Sequence, residues 1–213
     1  MLSVYSVAVA HQEEWPMRFV LLAFALPVTL ALPGCAASSA SVRADQRKIA
    51  SLQLFGGDAQ PRFVAYLACS ADTRDGIPQC RTVSNAFNAW ANARSISLHV
   101  VEKDDPVFQS QPLPVSQNAS SSKPYRVAVR FTPVVTPSYD EWHGSNGNLS
   151  SGFVAGKVGY EATVDVFSTA TGALLDTFSR HEHQDMPQRA NVTPVIREDT
   201  NALIEQIDPG YSR

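Results

Sequence analysis

Residues 160–179 read YEATVDVFSTATGALLDTFS. Thr169-Ala170-Thr171-Gly172 is a turn, with glycine where a positive φ is wanted. It joins a strand over 157–168 to an antiparallel partner running from 173 to about 183. This hairpin fixes one half of a sheet, and the rest of the chain is read against it. Downstream, Val192, Val195, Ile196, Leu203, Ile204 and Ile207 make one apolar stripe at helical spacing, so 192–207 is a helix. Asp208-Pro209-Gly210 ends it. Upstream, Tyr125, Val127, Val129 and Phe131 alternate with Arg126, Ala128 and Arg130, which predicts a strand with one buried face over 125–131.

Further upstream, 62–69 is apolar on both faces, as a central strand should be. Val83, Ala86, Phe87 and Trp90 predict a helix over about 81–93. Ile96, Leu98 and Val100 return the chain as a strand over 95–102. Strand, helix and strand in this order suggest a crossover onto the same sheet. A short helix over about 44–55, stopped by Gly56-Gly57, precedes them. The two stretches between these elements, 103–124 and 136–157, read as long irregular loops. The order is strand, helix, strand, strand, hairpin, helix. It predicts an α+β fold: a mainly antiparallel sheet with helices packed on one face.

The chain has 213 residues, a formal net charge of −3 and three cysteines. No basic patch points to nucleic acid. Residues 19–32 are apolar and uncharged, too short to span a bilayer and interrupted by Pro27. With Arg18 before them they read as a signal peptide over 1–34. Glu13 and Glu14 sit badly in a leader, so Met17 is the expected start. Residues 35–44 are a small-residue tether and 45–213 a single domain.

Leu32-Pro33-Gly34-Cys35 resembles the lipobox of bacterial lipoproteins. The resemblance implies that Cys35 is acylated and becomes the first residue. Ala36 after it implies sorting to the outer membrane, facing the periplasm. In that oxidising compartment Cys69 and Cys80 read as a disulfide; a redox pair or metal site would be expected to use a tighter spacing. The Asn-x-Ser/Thr triplets at Asn118, Asn148 and Asn191 then carry no meaning as glycosylation sites. The hairpin at 160–179 is similar to hairpins in small Gram-negative outer-membrane lipoproteins. Auxiliary lipoproteins of envelope ABC transport systems are among them. No catalytic motif comes with that resemblance.

Three features bear on chemistry. His181, His183 and Asp185 alternate on one strand and share a face, a ligand set suited to zinc or copper. The alternative is a solvated strand end. Tyr139, Trp142 and Phe153 lie in a glycine- and serine-rich stretch, either as a partner surface or folded back over the sheet. Asp140 and Glu141 are adjacent and point to opposite sides of an extended chain, so they make no acid/base pair. Neither a phosphate loop nor a serine-hydrolase elbow is present. The reading is a non-enzymatic, lipid-anchored envelope protein that binds a protein partner and needs no cofactor. The alternative is a periplasmic small-ligand or metal binder using the strand at 181–185.

Overall fold

A computed structural model describes residues 49, 51–113, 123–145, 148–186 and 191–211; residues 142–145 and 148–151 are described by backbone alone. The α+β architecture is as expected. Strand β1 (Phe63–Cys69) leads into helix α1 (Ile77–Arg94) and strand β2 (Leu98–Val100). A short 3-10 turn (Pro106–Phe108) precedes β3 (Tyr125–Thr136), β4 (Tyr139–Ser145) and β5 (Asn148–Val154). Strands β6 (Gly156–Ser168) and β7 (Leu174–Met186) and helix α2 (Val192–Ile207) complete it. Of the short helix expected over about 44–55, only 49 and 51–55 are described: 49 and 51 are helical, but 52–54 turn away and Phe55 bridges Pro61, so the helix does not reach 55.

The main sheet has five strands in the order β2-β1-β3-β6-β7. β1 is parallel to both β2 and β3. The long β3–β6 and β6–β7 pairs are antiparallel. β1 is internal and buried on both faces, which is why its sequence shows no alternation. The crossover through α1 sets β2 beside β1 in parallel, as strand–helix–strand order demands.

One face of the sheet carries both helices. The stripe of α1 (Val83, Ala86, Phe87, Trp90, Ala91) and that of α2 (Ile196, Leu203, Ile204, Ile207) bury against Phe63, Leu67, Val127, Val129, Tyr160 and Val164. Trp90 stacks on Phe63 with ring centroids 6.0 Å apart, and Phe131 on Tyr160 at 5.1 Å. Each fully buried aromatic or branched residue here contributes about 1.5–3 kcal/mol. Asp208, just past α2, ties the helices together. Its carboxylate accepts from Trp90 Nε1 at 3.0 Å and from Arg94 Nε and Nη2 at 2.7 and 2.9 Å. Asn191 caps α2 by accepting from the Thr193 amide.

Three expectations need correction. Helix α1 starts at Ile77, four residues before the predicted start, because Pro78 fits the first turn, where no amide is needed. Cys80 therefore sits in that first turn, and the Cys69–Cys80 disulfide ties the end of β1 to α1 with a Cα–Cα distance of 5.5 Å. Secondly, the described part of 103–124 is no free loop. Val107, Phe108 and Leu113 are buried against Val64, Tyr66, Ala68, Ala128 and Phe167 on the sheet face opposite the helices. Thirdly, 136–157 contains a second, two-stranded sheet, β4–β5.

Arg126 secures the second layer. It is 1 % exposed, lies 4.3 Å above the Phe167 ring, and donates to the carbonyls of Gln109 and Gln111. Burial lowers its pKa, and the nearby Tyr66 opposes that shift. Gly172 serves the same contact from below. Its φ is +72°, and a Cβ there would strike the backbone of Gln111 and Pro112. Among the described residues no helix is long and apolar enough to cross a membrane.

Candidate functional site

Among the described residues, the second face is covered toward one end by the 106–113 segment. Beyond the 106–113 segment, β3, β6 and β7 present a polar surface. Arg130 Nη2 bonds Asp165 Oδ2 at 2.6 Å, and Thr177 Oγ1 donates to Asp165 Oδ1 at 2.7 Å. A shallow concavity follows, lined by Arg130, Thr132, Glu161, Thr163, Ser179 and His181.

At its edge Glu161, His181 and His183 gather. Register explains why: Glu161 on β6 is the cross-strand partner of His181 on β7, and His183 is two residues further along β7. Residues directly opposite or two apart share a face, so all three side chains rise from the same side. His181 Nδ1 lies 3.2 Å from Glu161 Oε1. The His181 and His183 rings meet edge to face, with centroids 4.1 Å apart. One ligand atom from each of the three residues falls within 4.8 Å of the others, and all three residues are exposed.

Two imidazoles and a carboxylate form a donor set for zinc or copper with positions left open. The side chains of His181 and Glu161 are 64 % and 55 % exposed. With all three ligands exposed, a metal held here would exchange readily.

The sequence pairing of His181 with His183 is therefore brought together. Asp185, the expected third ligand, is not in this group: it sits opposite Lys157 at the end of the strand pair. Glu161 takes its place, twenty positions away in sequence, and only register shows it.

The aromatic set behaves differently. Tyr139 and Phe153 are 57 % and 52 % exposed and do not cover the sheet. Tyr139 pairs with Val154 and Asp140 with Phe153, so the two aromatics occupy opposite sides of the β4–β5 ribbon. They do not form one patch. Trp142 pairs with Ser151, and its side chain lies outside the description. Cys35 and the leader also lie outside the described residues.

A second concavity lies on the helix side, between the far end of the β6–β7 pair and α2, with a volume of about 340 Å³. Glu182, Glu198 and Asp199 line it with Val158, Val195 and Ala202. Burial raises the Asp199 carboxyl from 3.8 to about 6, with Glu182 and Glu198 adding to the shift. Nothing in the sequence joined these residues, since Glu182 and Asp199 belong to different elements.

No protein-family profile matches the chain, and no curated protein does. The chain has a distant structural likeness to several solved structures. A PelC dodecamer from Paraburkholderia phytofirmans is 11% identical over 68% of this chain and 88% of that one, with a TM-score of 0.36. A putative neuraminyllactose-binding hemagglutinin homolog from Helicobacter pylori is 7% identical over 71% and 83%, at 0.43. Lipoprotein GNA1162 from Neisseria meningitidis is 8% identical over 69% and 99%, at 0.37. At this level of likeness no site or activity carries over.

Proposed function

We propose that this chain is a non-enzymatic binding protein of the bacterial envelope, anchored through acylated Cys35, that takes up a divalent transition metal at Glu161, His181 and His183. One observation carries the reading: a cross-strand carboxylate and two imidazoles of one strand meet on one face with ligand atoms within 4.8 Å. The leader and lipobox supply the compartment and the anchor. The exposure of the three ligands favours capture and hand-over of metal rather than permanent storage.

Zinc and copper(II) titrations, followed by calorimetry and by metal content after gel filtration, test this. One equivalent should bind to the wild type, and His183→Ala should weaken binding about tenfold or more. Glu161→Gln should weaken it less than loss of either imidazole. Equal metal uptake by wild type and a His181→Ala/His183→Ala double variant would overturn the reading.

A second reading rests on the exposed Tyr139 and Phe153 of the β4–β5 ribbon. Here the anchored domain is an accessory or scaffold that docks a periplasmic protein, such as a component of an envelope transport system. A photo-crosslinker at position 139 or 153 should capture one discrete protein in intact membranes. Phe153→Ala should abolish that product if the ribbon is the docking element.

A further inference from the structure

Glu161 and His181 also form one wall of the concavity on the second face, whose volume is about 610 Å³. Register lays out its floor. Arg130, Thr163 and Ser179 stand directly opposite one another on β3, β6 and β7. Thr132, Glu161 and His181 form the next row, two residues along each strand. All six side chains rise from one face. Glu161 is thus one strand over and one row along from Arg130, about 5 Å across the sheet and about 7 Å along it.

Arg130 is the cation of this surface. Its Nη2 donates to the buried Asp165 carboxylate at 2.6 Å, while the Arg130 side chain itself is exposed. Thr177 donates to the other oxygen of Asp165, and the guanidinium lies 5.3 Å from the centre of the Phe108 ring. The arginine is therefore fixed from one side, and its planar fork has further N–H donors for a second partner. Arg180 also reaches the wall, but its guanidinium is bonded to Gln206 and to the Ser179 carbonyl. Without a metal, Glu161 and Asp165 offset the charge of Arg130, and the surface attracts no anion. A dication at Glu161, His181 and His183 reverses that balance and has coordination positions open.

Resting on the metal reading above, we propose that the loaded site binds a small dicarboxylate. One carboxylate fills an open position on the metal, and the other accepts from the Arg130 guanidinium. The Thr163 and Ser179 hydroxyls, 3.3 Å apart, floor the concavity beside Arg130. A ligand on the metal must extend by several ångströms to reach that guanidinium, which a short dicarboxylate does and acetate does not. The chain then takes its metal as a dicarboxylate complex rather than as the bare aqua ion.

Calorimetric titration of succinate into the zinc-loaded and the metal-free protein tests this, with zinc content measured afterwards. Saturable binding to the loaded protein is expected, and at least tenfold weaker binding to the metal-free protein. Acetate should bind the loaded protein at least tenfold more weakly than succinate. Arg130→Lys keeps a cation beside Asp165 but loses the planar fork. It should weaken succinate binding about tenfold while zinc uptake and circular dichroism stay as in the wild type. Zinc bound without saturable succinate binding at millimolar concentration would overturn this proposal and leave the metal reading standing, whereas failure to bind zinc would overturn both. Equal succinate affinity in the loaded and metal-free proteins, or in wild type and Arg130→Lys, would overturn the proposal as well.

Discussion

Replacing Asp199 by asparagine should stabilise the protein at pH 8 and change nothing near pH 3.5. The folded state holds this carboxyl at about 6 against an ordinary value of 3.8. Desolvation is the largest cause, followed by Glu182 and Glu198. A pKa raised on folding means that the native state binds the proton more tightly than the unfolded chain. The penalty is therefore absent below the unfolded value, grows as pH rises from about 4 to about 6, and is constant above that. About two pH units correspond to a ceiling of about 3 kcal/mol. Asp199 is only partly buried, and screening reduces the expected gain to about 1–2 kcal/mol. Asparagine keeps the shape, so the difference isolates the charge. Urea denaturation of wild type and variant at constant ionic strength, at several pH values from 3.5 to 8, measures it. The gain should be flat above about pH 6.5 and should shrink toward zero by about pH 3.5. A gain that is the same at both ends of the range would refute the reasoning, because it would owe nothing to titration. A loss of stability at pH 8 would refute it more directly, showing that the carboxylate makes a favourable contact there.

Two further outcomes follow from the packing. The Cys69–Cys80 bridge closes an 11-residue separation, and the loop-entropy model gives it about 2.8 kcal/mol. A Cys69→Ala/Cys80→Ala double variant should lose that amount in urea melts, and an undiminished midpoint would show that α1 holds its place on β1 unaided. Asp208 is 1 % exposed and accepts from both Trp90 and Arg94. Asp208→Ala leaves the indole N–H unpaired while Arg94 can still reach water, so the loss should be about 2–3 kcal/mol; a loss below 1 kcal/mol would mean that the clasp between the helices is dispensable.

Much of the architecture was legible because it depends on local pattern. Apolar residues on both faces of 63–69 placed β1 inside the sheet, alternation marked β3, and the stripe at 192–207 marked α2. The turn at Gly172 and the disulfide could be read directly from residue type and spacing. The β4–β5 ribbon was missed for a reason visible in its burial: Tyr139, Asp140, Glu141, Gly152 and Phe153 are all exposed. Where its burial is described the ribbon buries neither face, and such a ribbon leaves no alternation to detect. The stretch 103–113 was misjudged because its three apolar anchors are irregularly spaced, and nothing local says that a sheet face awaits them.

The sequence by itself determined the main-sheet strands and the two packed helices, the cysteine pair and the kinship of His181 with His183, since all of these follow from short-range periodicity or spacing. Only the tertiary structure decided that Glu161 rather than Asp185 joins the two histidines, because that depends on the register of β6 against β7. The same holds for the buried Arg126, whose partners lie on a segment 15–17 residues away, and for the cleft where α2 brings Asp199 into the field of Glu182. Register and layer packing are settled by contacts between residues distant in the chain, and no local pattern encodes them.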